Sequence, residues 1–201
     1  MGTIRRILFA TLLGIALPAA VATGQGWPHY GGDEGGSRFS PLTQINKENV
    51  STLELAWQYR TGAVRDNPSL KQFIDFQDTP TLLPPAAGGH LVVCDPFGKV
   101  IALDPVSGTP RWTMDPKIDK SPAAGRFKCR GVEYWVDNAA APGEACAHRL
   151  FLATADRRLI AMDARDGRRC AAFGVNGEVN VGTLIKATFP ADGVEITQLP
   201  S

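Results

Sequence analysis

The sequence predicts an all-β chain of propeller type, and three observations carry that prediction. A ten-residue string recurs along the chain, short apolar runs alternate with turn residues throughout, and no strong helical period interrupts them. The string is Lys99-Val100-Ile101-Ala102-Leu103-Asp104-Pro105-Val106-Ser107-Gly108. It returns as Arg158-Leu159-Ile160-Ala161-Met162-Asp163-Ala164-Arg165-Asp166-Gly167. Glycine and proline supply 21 and 15 of the 201 residues, a balance that suits many short strands and tight turns.

Met1–Ala22 carries Arg5 and Arg6, then an uncharged run from Ile7, and closes on Ala20-Val21-Ala22. A basic start, an apolar middle and a small-x-small finish mark a secretory signal peptide, with cleavage expected after Ala22. A membrane anchor is the weaker reading, because the run falls short of the roughly 18–20 residues that span a bilayer and contains Gly14 and Pro18. The first cysteine is Cys94, so no lipid-modified cysteine follows the run. The expected division is 1–22 signal peptide and 23–201 propeller. Without the signal the chain holds 19 basic and 20 acidic residues, which gives no electrostatic reason to expect nucleic acid as a partner.

A single helical turn is expected near Asn46–Leu53, and Leu55–Tyr59 reads as the closing strand of one unit. Leu91–Cys94 and the first copy of the string read as two strands, closed by Pro110–Met114. Leu150–Thr154 and the second copy repeat the arrangement, with Asp119–Ala147 read as an insertion between strands. In each copy the Asp can cap the turn with its side chain and the Gly supplies a positive φ. Units of 40–60 residues indicate a propeller or a related array; the competing fold is a β-sandwich in which two hairpins happen to look alike. Four cysteines in an exported chain favour disulfides and allow three pairings. Cys129–Cys146 is favoured, since it would close the Pro/Gly/Ala-rich stretch 138–145. No two have the C-x-x-C spacing of a zinc site.

Ala102, Asp104, Gly108 and Trp112 form the string A-x-D-x-x-x-G-x-x-x-W, which resembles the tryptophan-docking motif of quinoprotein propellers. The second copy departs from it, with Ala171 where the Trp would stand and Cys170 and Phe173 beside it. Tyr30–Leu42, Ala56–Gly62, Cys129-Arg130-Gly131-Val132-Glu133-Tyr134-Trp135, Cys146-x-x-Arg149-Leu150 and Arg158–Asp163 resemble, in order, the pyrroloquinoline quinone-dependent dehydrogenases of the quinoprotein glucose dehydrogenase-like family. The resemblance covers residues 27–201 and implies a propeller of about eight blades, of which two to three lie here. It implies a periplasmic enzyme, free or associated with the inner membrane. Such an enzyme oxidises an alcohol, sugar or polyol by hydride transfer to the quinone and passes electrons to a respiratory quinone or cytochrome c.

A planar quinone bearing three carboxylates needs flat surfaces above and below and cations around its rim. By resemblance, Arg130 grips a cofactor carboxylate; its competing role is a surface ion pair. Phe97 stands where relatives place a residue over the ring, and can stack or simply fill the core. Gln77 stands where relatives have a Glu near the cofactor, with a loop role equally open. Thr197 matches a cofactor-contacting Thr, although Gln198-Leu199 breaks the match at once. The family's Ca²⁺ ligands and catalytic Asp are expected beyond Ser201, so no catalytic or metal residue is assigned here. Asp33, Asp78, Asp95, Asp104 and Asp163 are not promoted to that role, and His29, His90 and His148 read as isolated loop residues. The alternative function is a non-catalytic propeller that binds or assembles partners in the cell envelope. The missing lipid-attachment cysteine and the Cys129–Trp135 segment argue against it.

Overall fold

The computed structural model describes residues 26–121 and 126–188. The expected signal peptide and Thr197 lie outside the described residues. Two four-stranded antiparallel sheets dominate. The first runs in chain order through β2 (Thr81–Leu82), β3 (Leu91–Cys94), β4 (Val100–Leu103) and β5 (Pro110–Met114). The second runs β7 (Glu133–Val136), β8 (His148–Ala153), β9 (Arg158–Asp163) and β10 (Glu178–Asn180). Each is an up-and-down meander of the kind that forms a propeller blade. A separate two-stranded sheet pairs β1 (Ile74–Phe76) in parallel with β6 (Phe127–Cys129).

The repeat is explained by burial. Every residue of β4 is buried, and Ile160, Ala161, Met162 and Asp163 of β9 are too. A strand covered on both faces reads as an unbroken apolar run, so these two stand out in the sequence. Val92, Cys94, Val100 and Ala102 of the first sheet pack with Tyr134, Leu150, Leu152 and Met162 of the second in one core. Both turns are built alike. The Asp104 N–H donates to Thr109 O and the Gly108 N–H to Asp104 O, while Asp163 and Gly167 repeat the pattern onto Arg168 O and Asp163 O. The Asp104 carboxylate caps the N–H groups of Val106 and Ser107, and Gly108 and Gly167 adopt φ of 69° and 73°.

The docking reading holds as well. A Cβ on Gly108 would lie 2.4 Å from the Trp57 ring, and one on Gly167 would lie 2.5 Å from Trp112. The tryptophan of one unit therefore lies flat on the turn of the next, and Trp57 Nε1 donates to Pro105 O at 3.2 Å.

Several expectations are corrected. Leu55–Tyr59 docks through Trp57 but pairs with no strand among the described residues. The stretch 119–147 is no simple insertion, because it contains β6 and also β7, the first strand of the second sheet. A helix, α1 (Val181–Thr188), follows β10. The expected turn near residue 50 is a short 3-10 helix, Val50–Thr52. Cys129–Cys146 is not formed: the bridges are Cys94–Cys129 and Cys146–Cys170, with Cα separations of 6.0 and 5.7 Å. Cys129 ends β6, beside the end of β3, whereas Cys146 lies on the second sheet's own loop. That loop is closed by the Asp137 N–H donating to Ala147 O and by the Cys146 N–H donating to Asp163 Oδ2 at 2.7 Å.

Candidate cofactor-binding site

The β1–β6 pair builds the site. Its register aligns Ile74 with Phe127 and Phe76 with Cys129, so the next residue of each strand, Gln77 and Arg130, must emerge side by side. They do: Arg130 Nε donates to Gln77 Oε1 at 3.1 Å. The Thr79 N–H donates to Arg130 O at 3.2 Å, fixing the backbone behind the guanidinium. Gly131 then turns the chain with a φ of 142°, a value that favours glycine.

Arg130 lines a cleft of about 390 Å³ together with His29, Tyr30, Arg38, Thr79, Thr81 and Glu133. Trp27 hydrogen-bonds across to Leu82 in both directions, which brings the 29–38 loop to the mouth of this cleft. His29 Nδ1 meets Glu133 Oε1 at 2.5 Å, so His29 is held by a partner. The cation of Arg38 sits 5.5 Å from the Tyr30 ring centre. Asp33 is occupied within its own loop, where it accepts from the Ser37 N–H.

Arg38 and Arg130 bring two cations to the lining beside the carboxylates of Asp33, Glu34 and Glu133, of which Glu133 meets His29 and Asp33 is held by Ser37. Gln77 holds Arg130 through Nε alone, and among the described residues its two terminal amino groups have no partner. A guanidinium anchored in this way presents two parallel N–H donors to a carboxylate. The cleft is also large enough for a flat aromatic ligand of modest size.

The other expected residues fare differently. Phe97 does not line this cleft. The Cys94–Lys99 hairpin turn, capped by Asp95 on the N–H groups of Phe97 and Lys99, drives the ring inward. There it is 4% exposed and lies 5.0 Å from the Phe127 ring centre. It is a core residue of the cluster with Ala63, Leu70 and Ile118. His148 lies on β8 and not on a loop, stacked on Tyr134 with a 2.8 Å bond to its hydroxyl. His90 reaches Arg165 O at 3.2 Å.

Sequence reasoning missed the His29–Glu133 pair, whose members are 104 positions apart, and no local signal could have joined them. It also missed the surroundings of Asp78. Cys94 and Cys129 close a disulfide directly beneath the Arg130 turn, and Asp78 Oδ1 lies 3.1 Å from Cys94 Sγ. Burial pushes the Asp78 carboxyl up to about 7, the Cys94 backbone N–H pulling the other way.

Residues 27–201 match the family described as "PQQ: Glucose/ethanol/alcohol dehydrogenase, beta-propeller domain". The chain belongs to this family. Within it, quinoprotein glucose dehydrogenase A of Acinetobacter calcoaceticus is 32% identical over 82% of this chain and 21% of its own length. The quinate/shikimate dehydrogenase (quinone) of Acinetobacter baylyi is 35% identical over 87% of this chain and 22% of its own. The crystal structure of quinohemoprotein alcohol dehydrogenase from Comamonas testosteroni matches with a TM-score of 0.55 and 32% identity, covering 74% of this chain and 19% of that one. The two sheets are therefore blades of a quinoprotein propeller. The chain spans about a fifth of the length of the curated relatives it matches.

Proposed function

We propose that this chain forms part of a periplasmic dehydrogenase, in which it supplies one wall of a pyrroloquinoline quinone site. The observation that carries the reading is the parallel β1–β6 register. It places Gln77 and Arg130 together, with Arg130 lining the cleft. Arg130 would bind a cofactor carboxylate and Gln77 would orient Arg130. The quinone, when bound, supplies the two-electron acceptor for hydride removed from an alcohol, sugar or polyol. Family membership supports Ca²⁺ as the companion ion, with a respiratory quinone or cytochrome c as the onward acceptor. Arg130 and Gln77 bind and orient; neither takes the substrate proton.

Quinone binding to the full-length protein tests the reading. A charge-assisted bidentate contact contributes about 1.5–3 kcal/mol. Arg130→Ala is therefore expected to weaken quinone affinity about 10- to 100-fold, and Arg130→Lys by less, because a lysine offers charge without the fork. An Arg130→Ala protein with full quinone affinity would remove this residue from the site. Failure of the unaltered protein to bind the quinone, or to reduce a dye with any alcohol or sugar, would favour the non-catalytic envelope propeller.

A further inference from the structure

Asp78 lies against a disulfide sulfur and accepts from the Cys94 backbone N–H. Its Oδ1 lies 3.1 Å from Cys94 Sγ, and that sulfur is bonded to Cys129 and carries no hydrogen. A carboxylate oxygen and a disulfide sulfur both present lone pairs, so the contact becomes a hydrogen bond only when Asp78 is the O–H donor. The same oxygen faces the Arg130 turn: a Cβ on Gly131 would lie 3.9 Å from Asp78 Oδ1 and 3.5 Å from Thr79 O.

We propose that Asp78 is a positioning residue whose protonated carboxyl hydrogen-bonds the Cys94–Cys129 disulfide and so seats the turn that carries Arg130. Two groups depend on that seat, the disulfide itself and the Thr79 N–H bond to Arg130 O. The effect on ligand binding at Arg130 rests on the function proposed above; the effect on the disulfide does not.

The charged groups on the neighbouring elements do not relieve Asp78 of its proton. Asp75 on β1 is paired with Arg126, and Lys128 on β6 acts on that same Asp75. Asp95 after β3 is 3.8 Å from Lys99, Glu133 on β7 holds His29, and Arg130 is bonded to Gln77. Among the described residues none forms an ion pair with Asp78. Its folded value of about 7 lies above the usual 3.8. The bond is thus intact at low pH and is lost as pH rises through neutrality, when a largely desolvated carboxylate held only by the Cys94 N–H faces the sulfur.

The two disulfides provide a paired test. The protein is treated with an uncharged trialkylphosphine at a series of pH values, and each bridge's reduction is followed by thiol alkylation and peptide mass. Cys146–Cys170 is the internal standard and cancels the reagent's own pH dependence. Its neighbouring carboxyl, Asp163, is held near 2 and stays ionised throughout. The reduction rate of Cys94–Cys129 relative to the standard is expected to rise about tenfold between about pH 6 and pH 8, following the ionised fraction of Asp78. In Asp78→Asn, whose amide still donates to sulfur but does not titrate, the ratio should be flat. In Arg130→Ala the rise should persist, which separates this proposal from the reading of Arg130. A flat ratio in the unaltered protein overturns the proposal, as does an undiminished rise in Asp78→Asn.

Discussion

Asp104 and Asp163 occupy the same place in the two repeats, yet they serve their turns differently. Asp104 stands near the surface, where the Ser107 N–H and then the Arg111 guanidinium hold its carboxyl well below the usual range. Asp163 is 4% exposed. Burial alone would raise it, but the Arg165 side chain and the N–H groups of Cys146 and Arg165 outweigh that and bring it to about 2. Its contribution is therefore complete above the usual carboxylate value and is lost as pH falls toward about 2. Asp163→Asn is expected to cost about 2 kcal/mol at neutral pH, the order of one buried charge-assisted hydrogen bond lost. That deficit should narrow in denaturant titrations as pH falls from about 4 to about 2. At this scale the sequence was partly legible. Both Asp residues could be assigned to turns because the turn recurs, and Arg130 was reached through its motif. Phe97 was not placed, because the direction of a hairpin ring depends on the Asp95 caps and on Phe127, which belongs to another strand.

Among the elements, β4 and β9 were visible in the sequence because burial on both faces writes an uninterrupted apolar run. β6 and β7 were hidden, because the stretch 119–147 reads as an insertion between strands and three-residue strands such as β6 carry almost no period. The helix α1 was missed because Gly182, Thr183 and Thr188 are weak helix formers. The docking of Trp112 on Gly167 joins the two sheets, and there the glycine serves twice. Its φ of 73° is a backbone conformation that other residues rarely adopt, and a Cβ would enter the indole ring at 2.5 Å. Gly167→Ala is expected to destabilise the protein by about 2–3 kcal/mol and to change the intrinsic fluorescence as the ring lifts. Retention of both stability and fluorescence would mean that the sheets are held by the shared core alone.

For the whole molecule, the bridges matter more than the sequence suggested, since they join parts that a hairpin-by-hairpin reading keeps separate. Cys146–Cys170 closes 24 residues, and the chain-entropy account assigns such a loop about 3–4 kcal/mol. Replacing both cysteines by alanine should lower the unfolding free energy by that order in a guanidinium titration. Phe39, Leu42, Ile45, Val50, Leu53 and Leu55 are all exposed, Leu55 by 82%. Among the described residues no helix is long and apolar enough to cross a membrane. The parallel β1–β6 pair has a further consequence, in the order of assembly. Gln77 and Arg130 are 53 positions apart, and the entire first sheet lies between them. Closing a contact over that separation costs more loop entropy than closing a hairpin, so it is expected to form after the hairpins of the first sheet. The Gln77–Arg130 contact thereby reports on the blade it brackets, since the pair comes together only as the two ends of that blade do.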